Sequence, residues 1–239
     1  MVRRFSLIAL LSLAFSIAAS AQSADILAGY KFDSASPGPA VTLMAYAPDS
    51  FGDTYGRADF SMKTEPMSLS TAYLEVARTL CFWKNTIVED LGLHAEFNGF
   101  MNMDNCNWLF GIDYTLPIEP LVKVSVLYKT FNGSARSNIP MQLSVLWSVD
   151  DIFGITGLEF RGLAKVWGET IRYWYSDANP KAAGTAQFAA KVSPQLWYSV
   201  GQFFGFDGLK IGGEVEMGYN YLGCSGFRAR PFAALRISF

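Results

Sequence analysis

The chain has 239 residues, a formal net charge of −2, 51% hydrophobic residues and 15% aromatic residues. A net charge this close to zero shows no excess of basic residues, so it gives no case for nucleic-acid binding. Beyond the N-terminal segment, no apolar run approaches the roughly 20 residues that a membrane-spanning helix needs.

The N-terminus has the three parts of a secretory signal. It begins M-V-R-R, continues with an apolar run at 5–18 and ends in Ala19, Ser20 and Ala21. This order predicts a signal peptide at 1–21, cleaved after Ala21, and export of a single domain at 22–239. A membrane anchor is the alternative, but the apolar run is too short to span a bilayer.

The exported part alternates apolar and polar residues with a period of two, which predicts β-strands separated by turns. Twelve such runs follow one another, at 25–33, 40–47, 53–62, 72–83, 92–101, 107–115, 121–130, 141–148, 158–167, 187–198, 209–221 and 227–239. Most are close to the 9–11 residues of a tilted membrane strand.

The run at 121–130 illustrates the pattern. Val122, Val124 and Val126 share one face, and Lys123 and Ser125 share the other. We therefore predict an all-β, 12-stranded antiparallel outer-membrane β-barrel, an up-and-down meander with both termini in the periplasm. A soluble β-sandwich or lipocalin-like barrel is the alternative, and either would bury its apolar face inside.

The last run, 227–239, ends in Phe239 with an apolar face extending to its final residue. This ending is typical of a closing strand whose apolar face meets lipid, so we expect it to pair with 25–33. The longest connection, 168–185, is expected outside the cell. Aromatic girdles are predicted at the outer ends of strands by Trp108, Tyr128, Tyr221 and Phe227, and at the inner ends by Tyr114, Trp147, Tyr198 and Phe239.

The polar faces would line the lumen and are rich in charges of both signs. They carry Lys31, Asp33, Arg57, Asp59, Glu75, Glu96, Asp113, Lys123, Lys129, Glu159, Arg161, Lys165, Lys191, Lys210, Glu214, Glu216, Arg228, Arg230 and Arg236. Two interpretations stay open: the charges pair across neighbouring strands and fill the interior, or they line a narrow wet channel.

Four aromatic residues, Tyr55, Trp167, Trp197 and Phe232, fall on polar faces and are predicted to point inward. They could pack the interior or stack on a flat solute. The candidate solute-binding residues are Tyr55, Arg57, Asp59, Glu96, Asp113, Arg161, Trp167, Lys191, Trp197, Glu214, Glu216, Arg228 and Arg230. No catalytic or metal-binding residues and no cofactor are predicted.

Two further features leave alternatives open. Cys106 and Cys224 lie in predicted loops and could form a disulfide after export, or all three cysteines, with Cys81, could be free. The single histidine, His94, lies on a polar face beside Glu96. It cannot form a multi-histidine metal site, but it could pair with a barrel serine in an outer-membrane hydrolase.

Several segments resemble a known family: A-P-D-S-F-G-D-T-Y at 47–55, A-Y-L-E-V-A-R at 72–78, F-W-K at 82–84, H-A-E-F-N-G at 94–99, P-Q-L-W-Y-S-V at 194–200 and G-G-E-V-E-M-G-Y-N at 212–220. Together with the Phe-ended last strand, they are similar to an uncharacterised outer-membrane β-barrel family that is grouped with Tsx-type nucleoside-specific channel-forming proteins. The resemblance implies a monomeric twelve-stranded barrel with nucleosides as the candidate solute.

The leading hypothesis is a non-enzymatic outer-membrane channel for passive diffusion of small polar solutes, with nucleosides as the candidate. The alternatives are a closed structural or surface-binding barrel and, third, the hydrolase. The expected partners are outer-membrane lipid and lipopolysaccharide, the barrel-assembly machinery and the solute.

Overall fold

A computed structural model describes residues 23–33, 37–64, 67–100, 106–130, 139–173, 175–176 and 183–239. The predicted signal peptide at 1–21 lies outside the described residues. No helix in these ranges is long and apolar enough to cross a membrane.

Twelve long antiparallel strands dominate the fold, in the order predicted. They are β1 Ser23–Lys31, β2 Gly38–Asp49, β3 Gly52–Thr64, β4 Met67–Leu80, β5 Leu91–Phe100, β6 Cys106–Thr115, β7 Leu121–Lys129, β8 Met141–Val149, β9 Leu158–Tyr173, β10 Gly184–Ser199, β11 Leu209–Tyr219 and β12 Phe227–Ser238. Each pairs with the strands before and after it in the chain, which makes an up-and-down meander.

The sheet closes where β1 pairs with β12, which confirms the pairing predicted for the last strand. Their register runs from Asp25 opposite Ser238 to Lys31 opposite Phe232. Beyond it, Ala24 and Phe239 exchange backbone hydrogen bonds of 3.3 and 2.9 Å. We call the rim that holds Ser23 and Phe239 the terminal end, and the opposite rim the far end.

The exterior of the barrel is apolar. Leu43, Ile112 and Ile211 are 42%, 49% and 50% exposed, and the other large apolar side chains on the same outward faces are similarly accessible. A monomeric soluble protein rarely exposes a continuous apolar surface this extensive. The protein is therefore a membrane-embedded β-barrel, and the soluble alternatives are wrong.

Aromatic residues flank the apolar band at both ends, with one correction. At the far end Trp108, Tyr128 and Phe227 are 50–60% exposed, and at the terminal end Phe239 is 70% exposed. Tyr221, however, points into the lumen. Strand β11 ends at Tyr219, and Asn220 takes a positive φ of 51°. This conformation ends the alternation of faces, which the sequence had predicted to continue to Tyr221.

Two other predictions change. The connection at 168–185 is shorter than expected, because β9 continues to Tyr173 and β10 begins at Gly184. At the far end, Tyr175–Ser176 pairs with Cys224–Ser225, so this connection contacts the one between β11 and β12. Cys81, Cys106 and Cys224 are all free, so the disulfide alternative is wrong.

Two valines on the lipid-facing side of β7 are expected to differ in how much a charged substitution destabilises the barrel. Val124 lies near the middle of the strand, and Val122 is the second residue from its terminal end. We expect Val124→Arg to lower the free energy of unfolding by about 2–4 kcal/mol and Val122→Arg by about 0–1 kcal/mol, because the cost of a lipid-facing charge falls toward the interface. Reversible denaturant unfolding in lipid vesicles measures both, and equal costs would contradict this placement of the strand.

Candidate functional site

A cavity of about 560 Å³ occupies the terminal half of the lumen. Ser23, Thr115, Leu121 and Ser148 line it at the rim, and Lys165 lines it near the middle of the barrel. The side chains that line it between these levels are mostly polar: Asp25, Tyr46, Asp53, Tyr55, Arg57, Glu75, Thr79, His94, Glu96, Asp113, Lys123, Ser125, Ser144, Arg161, Gln195 and Arg236.

One wall of the cavity, on β3 to β7, holds a chain of charged contacts around His94. The imidazole Nδ1 lies 2.8 Å from Asp113, and Nε2 lies 3.4 Å from Glu96. Asp113 also accepts a hydrogen bond from Thr79 at 2.8 Å and lies 3.5 Å from the Lys123 ammonium. Both ring nitrogens face carboxylates and neither faces a hydroxyl, so these contacts give the hydrolase hypothesis no support.

The opposite wall is organised around Glu159 on β9. Its carboxylate contacts Arg161 at 3.0 Å, Arg236 at 3.4 Å and the Lys210 ammonium. Arg236 also binds Asp25 at 2.8 Å across the closing seam. One nearly buried acid therefore links three cations on three strands, and Arg236 extends this network to Asp25 on β1.

The far half of the lumen is filled by a second set of ion pairs. Arg230 contacts Asp33 at 3.3 Å and Glu216 at 3.0 Å. Arg228 lies 2.7 Å from Asp33, and Lys191 lies 3.1 Å from Glu216. The two arginines are each 8% exposed, so these charges pack against one another instead of lining open water.

Tyr221 and Trp167 lie beside this second set. Their rings contact edge to face at 5.5 Å, and the Tyr221 ring lies 5.6 Å from the Lys191 ammonium. A Cβ atom on Gly218 would come within 3.1 Å of Tyr221, so the glycine leaves room for the inward ring. Trp167 donates a hydrogen bond of 2.9 Å to Glu169, which pairs with Lys129 at 2.5 Å.

Trp197 and Phe232 form an apolar cluster inside the barrel with Leu27, Ala40 and Ala234. Trp197 is 0% exposed. Its indole donates a hydrogen bond of 3.1 Å to Gln195, which donates one of 3.0 Å to Glu214. These two aromatic residues therefore pack the interior and do not face the cavity.

The predicted solute-binding residues all lie on the lumen side, but they are divided between regions. Those that line the cavity are Tyr55, Arg57, Glu96, Asp113 and Arg161. Asp59 does not line the cavity, but it binds Arg57, which does, at 2.8 Å. The far-half set holds Trp167, Lys191, Glu216, Arg228 and Arg230, and Trp197 and Glu214 belong to the packed cluster and its neighbours.

Several cavity residues were absent from the predicted site. Met44 and Tyr46 lie inside because their register partners on β3, Arg57 and Tyr55, do. The predicted facing of β3 could have identified them once β2 was taken as its partner. Among the described residues, no group of three or more histidine, cysteine or acidic side chains is arranged to hold a metal ion.

A family model described as "Domain of unknown function (DUF5020)" matches residues 28–239. The chain belongs to this family. No curated protein matches the chain. Among solved structures, the chain is similar to the NanC porin, with a TM-score of 0.52 and 8% identity over 90% of this chain and 98% of that one. It is also similar to the KdgM porin, with a TM-score of 0.49 and 10% identity over 90% and 99%. At such low identity the likeness to NanC is one of fold.

The hub at Glu159 yields a stability prediction. Glu159→Gln removes the acid shared by Arg161, Lys210 and Arg236. We expect the free energy of unfolding to fall by about 3 kcal/mol or more, because two largely buried cations, Lys210 and Arg236, each lose a carboxylate. The matched control is Asp207→Asn, at an exposed position in the connection between β10 and β11, with an expected change within about 0.5 kcal/mol. Denaturant unfolding in vesicles compares the two variants, and equal effects would contradict a stabilising role for Glu159.

Proposed function

We propose that the protein is an outer-membrane channel for the passive diffusion of small polar solutes. The observation that carries the proposal is the cavity of about 560 Å³, lined by many charged and polar side chains, that reaches from the terminal rim to mid-barrel. A barrel whose charged lining meets water on one side is suited to admitting hydrophilic solutes. In this proposal the terminal end faces the periplasm, and the monomeric barrel is inserted by the barrel-assembly machinery and surrounded by lipid and lipopolysaccharide.

Nucleosides are the solute class that we propose within this function. Tyr46 and Tyr55 pair across neighbouring strands and both line the cavity, close to Arg57. Aromatic rings can stack on a base, while charged and hydroxyl groups bond its edges and its sugar. The resemblance to Tsx-type nucleoside-specific channels supports the same class.

A closed structural barrel is the second candidate, and the packing of the far half favours it. Lys129, Glu169, Arg228 and Arg230 are 5–8% exposed. Charges this buried leave little room for a wide water path. The two candidates differ in whether the purified barrel conducts ions and solutes.

Liposome swelling and planar-bilayer recording separate these candidates. For a channel, we expect discrete conductance steps and swelling with small polar solutes, faster with nucleosides than with sugars or amino acids of similar size. Folded protein that gives neither conductance nor swelling would contradict the channel and favour the closed barrel. Equal rates for all solutes would contradict the nucleoside preference alone.

Tyr55→Leu tests the stacking surface directly. We expect it to slow nucleoside-driven swelling by about threefold or more, since a stacking contact is worth about 1–3 kcal/mol, and to leave sugar-driven swelling little changed. Tyr128→Leu is the matched control, because Tyr128 lies on the lipid face and is 52% exposed. An equal effect of both variants on nucleosides would show that Tyr55 has no special role.

A further inference from the structure

Lys165 lies on β9 without an acidic neighbour on its own wall. Its register partners are Ser144 on β8 and Lys191 on β10. The carboxylate nearest to Lys191, Glu216, already pairs with that lysine at 3.1 Å. A hydroxyl on one side and a second cation on the other give the Lys165 ammonium no counter-ion along the sheet.

The Lys165 side chain instead crosses the lumen. Its Nζ lies 3.1 Å from Glu75 on β4 and 3.3 Å from Glu96 on β5. In the closed order of strands, β5 is four positions from β9 and β4 is five, and six positions would be diametrically opposite in a twelve-stranded barrel. The contact therefore joins nearly opposite walls.

The two acids are held in place by other groups as well. Glu75 accepts a hydrogen bond of 2.5 Å from the Tyr73 hydroxyl, and Glu96 accepts one of 2.6 Å from the Asn98 amide. Glu96 also lies 3.4 Å from His94. Because these partners lie on the same wall as the acids, we expect both carboxylates to keep their places when the lysine is replaced.

The crossing occurs near the inner part of the cavity. Lys165, Glu75 and Glu96 all line the cavity, and their side chains are only 10%, 10% and 4% exposed. A solute that passes from the cavity into the far half must displace or skirt this contact.

We propose that Lys165 sets the width and the charge preference of the passage, by bridging it and by neutralising one of two facing carboxylates. This inference rests on the proposed channel function. With the lysine present, the contact between Lys165, Glu75 and Glu96 holds one positive and two negative charges. Without it, two carboxylates face the lumen unopposed from the other wall, and rings of carboxylates favour cations.

Single-channel recording in a KCl gradient tests the inference. We expect Lys165→Met to raise conductance by about twofold or more and to shift the reversal potential toward that of potassium. Lys165→Arg, which keeps the charge and the reach, is expected to behave like the parent protein. Lys84→Met is the matched control, since Lys84 lies in the connection after β4, where it donates a hydrogen bond of 2.8 Å to the Ser50 carbonyl.

Glu75→Gln is a second variant with the opposite sign, and it keeps the test valid if Lys165→Met fails to fold. It leaves Lys165 with Glu96 alone, so the selectivity is expected to shift toward chloride. Folding of each variant is checked by circular dichroism and by heat-dependent gel mobility.

The outcomes distinguish the inference from the function on which it rests. If the parent protein conducts and neither Lys165→Met nor Glu75→Gln changes conductance or selectivity, the inference is wrong and the channel stands. If the folded parent and both folded variants are silent, the channel proposal fails and the inference fails with it. A silent parent with a conducting Lys165→Met variant would support Lys165 as the closing residue.

Discussion

The structure depends on one constraint: within lipid, every backbone N–H and C=O must find a partner in the protein. A meander of twelve strands meets it only if its first and last strands join, and the pairing of Asp25 with Ser238 through Lys31 with Phe232 does so. Closure then fixes the two faces of every strand. One face meets lipid, and the other is enclosed together with the charges it carries.

Enclosing so many charges determines the character of the lumen. Buried ions are costly unless they are paired and hydrogen-bonded, and those described here form pairs and hubs such as the one at Glu159. Some ion pairs join neighbouring strands, as Lys191 and Glu216 do, whereas Lys165 reaches across the lumen to Glu75. The result is a cavity at the terminal end, a far half filled by ion pairs, and a narrow crossing between them.

Sequence was sufficient for the strand order, the faces and the closing seam, because alternation with a period of two is a local property of the chain. The sequence could not predict which of the inward-facing side chains contact one another. Lys165 and Glu75 are 90 residues apart, and their contact depends on the barrel radius and on side-chain conformations. Tyr221 was misplaced because the positive φ of Asn220 ends the alternation. Trp197 could be predicted to point inward, but its burial by Leu27 and Phe232 requires three strands that are distant in sequence.

Along each strand, successive residues alternate between a face that meets lipid and a face that meets the enclosed lumen. Nitroxide labels placed one at a time along β12, Phe227–Ser238, test it most directly by their accessibility to oxygen, which dissolves in lipid. We expect a period of two, with high oxygen accessibility at Phe227, Ala229, Ala233 and Leu235 and low accessibility at Arg228, Arg230, Ala234 and Arg236. A flat profile, or one with the opposite phase, would contradict the barrel described above.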